Sequence, residues 1–198
     1  MHQATLLIAT NNKGKLREYR SLLLGIPQKL VTPAELGIAA EVDESGKSLE
    51  ENARLKAVFF AERSNLLTLA DDSGLEVDAL GGEPGPLSAR YAGEGASDRD
   101  RVIYLLSRLK NIPWEKRTAR FRCVIAIAEP RGKVVLCEGE CRGFITFEPR
   151  GEEGFGYDPI FYFPELDKTM AELSLEVKTR ISHRGQAARK ALQILKTL

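Results

Sequence analysis

The sequence has no excess of charge of either sign, because 29 Lys and Arg residues stand against 28 Asp and Glu residues. A protein without a broad basic field does not attract a nucleic-acid backbone or an anionic membrane by its overall charge. Any anion that the protein binds must therefore be held by a few local groups. We expect neither a nucleic acid nor a membrane as a partner.

Long hydrophobic runs are also absent, since no apolar segment approaches the 18 residues that suggest a membrane-spanning helix. The first residues lead into an apolar stretch without a basic leader or a small-residue cleavage site, which favours a cytoplasmic protein. Cysteine is scarce: Cys123, Cys137 and Cys141 are odd in number and lack the spacing of a zinc site. We expect structural thiols.

What the sequence does contain suits one α/β unit. Its 43% of hydrophobic residues can build a substantial core. No repeat, low-complexity tract or linker divides the chain, so residues 1–198 are interpreted as one domain, two-lobed in outline, around a mixed β-sheet flanked by helices. The pattern predicts strands at 5–10, 66–70, 118–128 and 133–142, and helices from about residue 16 to Gly25, at 48–64, at 98–110 and from Ser182. A Gly- and Pro-rich loop at 81–97 is long enough to suggest a function.

A polar loop between the first strand and helix consists of Thr10, Asn11, Asn12, Lys13, Gly14 and Lys15. It is not a P-loop, because that motif requires Gly where Ala9 stands and Ser or Thr where Leu16 stands. Loop amides, a helix N-terminus and Lys15 can still bind phosphate. The open alternative is a solvated turn.

Two adjacent carboxylates, Asp71 and Asp72, are predicted at the end of the 66–70 strand. Successive side chains of a strand point to opposite faces, so the two acids are expected to have different tasks. Like charges this close cost free energy unless a cation or hydrogen bonds compensate them, which suggests a metal ion. Structural capping is the alternative.

Glu44, with Glu41 and Asp43 nearby, is a second candidate ligand for the metal ion. Lys56 lies among apolar neighbours and needs a partner, for which a phosphate or Asp72 would serve.

Two further clusters suit a nucleobase. Phe155, Gly156, Tyr157 and Asp158 combine a stacking surface, a flexible backbone and a hydrogen-bond acceptor. His183 and Arg184 follow Ser182 at a helix start and offer donors. The alternatives are a turn packed on the core for the first cluster and a helix cap for the second.

Taken together, the clusters resemble the inosine/xanthosine triphosphate pyrophosphatase family, with each cluster in the family's order from Thr10 to Arg184. The resemblance implies a homodimer that depends on Mg²⁺ and hydrolyses deaminated purine nucleoside triphosphates (ITP, dITP and XTP) to the monophosphate and pyrophosphate, which removes mutagenic nucleotides from the pool. A purine nucleoside triphosphate is then the partner in the active site.

The same resemblance assigns the residues. Glu44 and Asp72 match the metal ligands, and Asp72 is also the proton acceptor. The residues implied to act in catalysis are Asp72, Lys15 and Lys56. The residues implied to bind the substrate are Thr10 through Lys15, Asp71, Ser73, Phe155 through Asp158, Lys178, His183 and Arg184.

Rival functions remain open at this point. A Maf-like pyrophosphatase would act on other nucleotides with similar phosphate chemistry, and a sensor would bind a nucleotide without turnover. The adjacent aspartates argue against a sensor, because a pure triphosphate binder would avoid that much negative charge.

Overall fold

The computed structural model describes residues 4–40, 42 and 45–197. These residues form eight β-strands and five α-helices, with short 3₁₀ turns between them. The strands are β1 (Thr5–Ile8), β2 (Lys29–Val31), β3 (Leu67–Val77), β4 (Pro84–Gly85), β5 (Thr118–Ala128), β6 (Val134–Ile145), β7 (Phe161–Phe163) and β8 (Lys168–Thr169). The helices are α1 (Lys13–Leu22), α2 (Leu49–Ser64), α3 (Asp98–Arg108), α4 (Leu175–Ile181) and α5 (His183–Leu195).

The strands hydrogen-bond into one mixed sheet in the order β2-β1-β3-β5-β6-β7-β8, with β4 paired to β3. Strand β1 runs parallel to β2 and β3, whereas the β3–β4, β6–β7 and β7–β8 pairs are antiparallel. The expected α/β class and mixed sheet are therefore confirmed. Among the described residues, no helix has the length and apolar character needed to cross a membrane.

The chain divides into two compact units. The first comprises residues 1–72, 123–139 and 183–198. Its part of the sheet is covered on one face by α1 and α5, whose Tyr19 and Ala188 pack with Leu69 of β3. The other face is covered by α2, whose Ala57 packs with Ala70. Each face therefore receives alternate residues of β3.

The second unit comprises residues 73–122 and 140–182. Its apolar cluster contains Leu105 of α3, Phe121 of β5, and Phe161 of β7. Buried Arg117 ties the surrounding loops together by donating to the carbonyl oxygens of Leu109, Ile112, Ile145 and Thr146. The long 81–97 segment packs here, and its Ser88 hydroxyl accepts from the Leu75 amide and donates to the Gly85 carbonyl.

The largest error in a predicted boundary concerns β3. The strand expected to end at Ala70 continues through the acidic pair to Val77, so Asp71 and Asp72 lie inside β3 and not in a turn after it. In the sequence alone, two adjacent charged residues indicate the end of a buried strand. In the folded protein, other side chains can compensate their charges and allow the strand to continue. Here, side chains from helices on both faces compensate the two carboxylates, and the strand continues.

The other predicted elements occur close to their expected bounds. Helix α2 follows its Ser48 N-cap, whose hydroxyl accepts from the Glu51 amide. The sequence predicts a capping box here, since Glu51 follows Ser48 by three residues, but the Glu51 carboxylate accepts from the amide of Lys47 and not from that of Ser48. The three cysteines are buried and form no disulfide bond with one another, as expected for structural thiols.

Candidate active site

Asp71 is the centre of a buried ionic network in the first unit. Its Oδ2 atom lies 3.0 Å from Lys15 Nζ and 3.4 Å from Arg184 Nε. The ammonium groups of Lys15 and Lys56 also converge on one atom, the backbone carbonyl oxygen of Asp71, at 3.5 and 3.1 Å. Three cationic side chains from α1, α2 and α5 are therefore drawn to one residue of β3.

The network shifts the pKa of the Asp71 carboxyl group below its ordinary value. Burial alone would raise that pKa, but the charges of Lys15, Arg184 and Lys56 outweigh burial. Cys123 lies 3.8 Å from the same carboxylate oxygen, and its thiol pKa is raised by burial and by the negative charge of Asp71. Cys123 is therefore held as an uncharged thiol, which agrees with the expected structural role.

Arg184 is fixed by a second carboxylate that sequence reasoning missed. Glu18 of α1 is buried, and its Oε2 accepts from Arg184 Nη1 over 2.6 Å. Burial would lower the pKa of the Arg184 guanidinium, but the charges of Glu18 and Asp71 raise it well above its usual value. The signal in the sequence was a carboxylate directly before Tyr19, one of the apolar positions of the helix.

Asp72 faces the opposite side of β3, toward α2. Its Oδ2 accepts a hydrogen bond from Asn52 Nδ2 over 3.0 Å. The expectation that the two side chains point to opposite faces of the strand is confirmed, because Asp71 faces α1 and α5 and Asp72 faces α2. That the two acids have different tasks stays a prediction. Lys56 donates to the carbonyl oxygen of Asp71, and the suggested phosphate or Asp72 partner stays a prediction.

The loop from Thr10 to Lys15 opens α1. The Asn12 side chain caps this helix by accepting from the Lys15 amide over 3.0 Å, and the Thr10 hydroxyl accepts from the Asn12 amide over 3.2 Å. Asn11, Asn12 and Lys13 are exposed, and Gly14 is half-buried. The first turn of a ten-residue helix therefore presents backbone amides beside the Lys15 ammonium, an arrangement that can bind an anion.

His183 and Arg184 form the first turn of α5 and are both buried. The turn lies close against β6, because a Cβ atom on Gly139 would overlap the His183 carbonyl oxygen and lie 2.5 Å from the Ala187 amide nitrogen. A glycine in β6 therefore lets α5 approach the sheet and bring Arg184 to Asp71.

The second unit holds the aromatic cluster. Asp158 is buried, and its Oδ2 accepts from the Phe155 amide over 2.8 Å and from Lys178 Nζ over 2.5 Å. The Lys178 ammonium also lies 4.9 Å from the centroid of the Phe155 ring. The backbone of the cluster is fixed further by Asp98, which accepts from the Gly156 amide over 2.7 Å. Tyr157 donates to the Ser88 carbonyl over 2.9 Å, so the 81–97 loop supports this cluster.

The predicted site residues thus fall into two groups. The first unit contains Thr10 through Lys15, Lys56, Asp71, Asp72, His183 and Arg184. The second contains Ser73, which is half-buried in β3, with Phe155 through Asp158 and Lys178. Glu44, and with it the alternatives Glu41 and Asp43, lies outside the described residues. Within the described ranges no group of three His, Cys, Asp or Glu side chains is placed to hold a metal ion.

Comparison with known proteins gives a consistent result. Residues 6–194 match the model of the Ham1 family. A dITP/XTP pyrophosphatase of Desulforamulus reducens is 52% identical over 98% of this chain and 96% of its own length. The dITP/XTP pyrophosphatase of Bacillus subtilis is 47% identical over 96% of each chain.

Solved structures agree with these relatives. A HAM1 protein from Coxiella burnetii is similar with a TM-score of 0.89 and 40% identity, over 98% of this chain and 100% of that one. The Ham1 protein of Staphylococcus aureus is similar with a TM-score of 0.86 and 44% identity, over 98% of both chains. The match therefore extends over both units.

Proposed function

Because this chain belongs to the Ham1 family, we propose that it hydrolyses non-canonical purine nucleoside triphosphates, namely ITP, dITP and XTP, to the monophosphate and pyrophosphate. Relatives at about half identity over nearly the whole chain are named dITP/XTP pyrophosphatases, which supports this substrate class. The proposal makes the protein a hydrolase of the nucleotide pool.

One geometric observation carries the proposal for the chemistry. Lys15 and Lys56 converge on the Asp71 carbonyl oxygen, and Asp72 is the next residue of the same strand. A triphosphate needs cations to bind and a nearby carboxylate to activate water, and phosphoryl transfer depends mainly on positioning and charge neutralisation. This point of β3 supplies both groups.

A magnesium ion fits the donors present. Asp72 offers carboxylate oxygens on the α2 side of β3, and one of them, Oδ2, accepts a hydrogen bond from the neutral amide of Asn52. Mg²⁺ prefers oxygen ligands and is usually held by one or two carboxylates together with substrate phosphates. Asp72 and Glu44 would hold the ion. When bound, it would lower the pKa of a coordinated water and neutralise phosphate oxygens.

In the proposed reaction, Asp72 accepts a proton from the water that attacks the α-phosphorus, and the bond from that phosphorus to the bridging oxygen breaks. Lys15 and Lys56 stabilise the charge on the pyrophosphate that leaves. The amides at the start of α1 bind phosphate with them. Lys178, whose ammonium is held by Asp158, is also proposed to stabilise negative charge on the phosphates.

Selectivity is proposed to come from hydrogen-bond polarity at the purine edge. Hydrogen-bond donors in the pocket would pair with the 6-oxo group of the base. Adenine carries a 6-amino group there, which is itself a donor, so the buried donors of the pocket would be left without an acceptor. Such a mismatch costs on the order of 10⁴-fold in specificity. Guanine shares the 6-oxo group, so the pocket must also disfavour a 2-amino group. His183 and Arg184 are the proposed donors, and Phe155 is the proposed stacking surface.

We also propose that the protein forms a homodimer and is located in the cytoplasm.

The experiment is a pyrophosphate-release assay with purified protein. The panel comprises XTP, ITP, dITP, ATP, GTP and a pyrimidine triphosphate, each with Mg²⁺ and with a chelator. We expect kcat/KM for XTP, ITP and dITP to exceed that for ATP and GTP at least about 100-fold, and we expect release to be lost in chelator. Comparable kcat/KM for ITP, GTP and ATP would contradict the selectivity, and tight binding without turnover would indicate a sensor.

A further inference from the structure

Asn52 is a buried amide whose two ends are both engaged. It lies in α2 with 1% of its surface exposed. Its Oδ1 accepts from the Gly46 amide over 2.9 Å, and its Nδ2 donates to Asp72 Oδ2 over 3.0 Å. A single carboxamide therefore links the loop before α2 to the carboxylate that the proposed reaction depends on.

The chemistry of the neighbours fixes the orientation of this amide. A backbone N–H can only donate, so the oxygen of Asn52 must face Gly46 and its nitrogen must face Asp72. The contact with the loop is close, because a Cβ atom on Gly46 would lie 2.5 Å from Asn52 Oδ1 and 2.8 Å from the Cβ of Glu51. The amide cannot turn over without losing both hydrogen bonds.

The helix that carries Asn52 is held firmly at its start. The Ser48 hydroxyl caps the Glu51 amide, and the Glu51 carboxylate accepts from the Lys47 amide over 2.7 Å. Ala53, the neighbour of Asn52, is fully buried. A side chain on a rigid helix can hold its partner in one geometry more precisely than a side chain on a loop can.

We propose that Asn52 is a positioning residue for Asp72, an inference that rests on the function proposed above. Its Nδ2–H fixes the rotation of the Asp72 carboxylate through Oδ2. Because the amide is neutral, this contact orients the carboxylate without adding a positive charge that would compete with a cation. Outer partners of this kind are worth about 10- to 100-fold in metal affinity or activity when removed.

The decisive variant is Asn52→Asp. A carboxylate of the same shape still accepts from the Gly46 amide but has no donor for Asp72. If Asn52 acts through Asp72, kcat for XTP falls by about 10- to 100-fold while KM changes by less than about threefold, because the lost interaction matters for turnover and not for substrate binding. If Asn52 only ties down the loop, the variant keeps the wild-type kcat once the pH is high enough for both neighbouring carboxylates to be ionised.

The matched control is Ser48→Ala. It removes the cap of the same helix, at a cost of about 1 kcal/mol, without touching Asp72. The effect is assigned to the contact with Asp72 if the control keeps the wild-type kcat while Asn52→Asp has a reduced kcat. The comparison requires that Asn52→Asp is at least as thermally stable as the control. An equal loss of kcat in both variants assigns it to the helix and overturns the proposal.

A second measurement does not depend on turnover. Binding of Mn²⁺, used in place of Mg²⁺, is followed by electron paramagnetic resonance in the wild type and in Asn52→Ala. We expect about tenfold weaker Mn²⁺ binding in the variant. This measurement decides the question if Asn52→Asp does not fold, or if the wild type releases no pyrophosphate and the proposed function fails on its own. Unchanged Mn²⁺ affinity would then overturn the inference, and so would failure of both variants to fold.

Discussion

Glu18 and Arg184 form a buried ion pair, with Glu18 Oε2 lying 2.6 Å from Arg184 Nη1 and both side chains at most 5% exposed. The pair joins α1 to α5 on the face of the sheet where Arg184 also reaches Asp71. A carboxylate that neither composition nor motif singled out thus helps to place one of the residues expected to recognise the base.

Removing Glu18 should destabilise the protein strongly. Glu18→Ala leaves the buried Arg184 guanidinium with one carboxylate fewer, and breaking a buried pair in this way costs about 3 to 5 kcal/mol. The measurement is the free energy of unfolding in urea. Arg142→Ala is the comparison, because its pair with Glu140 is exposed and should be worth about 1 kcal/mol or less. Equal effects of the two substitutions would show that burial does not govern the Glu18 pair.

The Asp71 network should make stability depend on acidity. Folding lowers the pKa of the Asp71 carboxyl group, so the ionised group stabilises the folded state. This contribution to the free energy of unfolding is fully present above the ordinary carboxyl pKa of 3.8. It is lost as pH falls below that value toward the lower pKa of the folded state. Urea midpoints between pH 5 and pH 3 should therefore decline less steeply in Asp71→Asn than in the wild type. Parallel pH profiles would show that Asp71 does not carry this linkage.

Gly139 should tolerate no side chain. In Gly139→Ala the new Cβ would overlap the His183 carbonyl and push the start of α5 from β6, so we expect a loss of about 1 to 3 kcal/mol in stability. Because Arg184 would move with the helix, turnover should fall as well, which steady-state kinetics on the folded fraction would measure. A variant with wild-type stability and kinetics would mean that the helix can shift without consequence.

Asp158 should matter for substrate affinity. Asp158→Ala removes an acceptor that both the Phe155 amide and the Lys178 ammonium use. If the Phe155 ring stacks on the base, KM for XTP should rise by about tenfold or more, since loss of base stacking and of the ordered loop weakens ground-state binding. Steady-state kinetics test this, and an unchanged KM would remove the cluster from base recognition.

Much of the architecture followed from the sequence, because apolar periodicity and caps decide local structure. The bounds of β5 were predicted to the residue, and α2 began at its Ser48 cap. The end of β3 was not predicted, since the acidic pair reads as a turn until Lys15, Lys56 and Arg184 are known to surround it. Tertiary charge compensation overrode a local polar signal there.

The sequence singled out the motif residues of the candidate site but not the residues that support them. Asn52 and Lys56 are four residues apart on the buried stripe of α2, and this spacing of two polar residues among apolar ones was the available signal. Lys56 was noticed for its charge, whereas Asn52 is neutral and common in helix first turns. Glu18 was passed over for a similar reason, because a carboxylate on a helix is usually solvated.

The most direct test of the account is the turnover of XTP by Asp72→Asn, with substrate affinity measured separately by equilibrium binding. An amide keeps the size of the side chain and loses its capacity to accept the proton. We expect affinity within about threefold of the wild type and a fall in kcat of about 10²- to 10⁴-fold, the usual contribution of a positioned base. Near-normal turnover with normal affinity would contradict the role of Asp72 and the mechanism built on it.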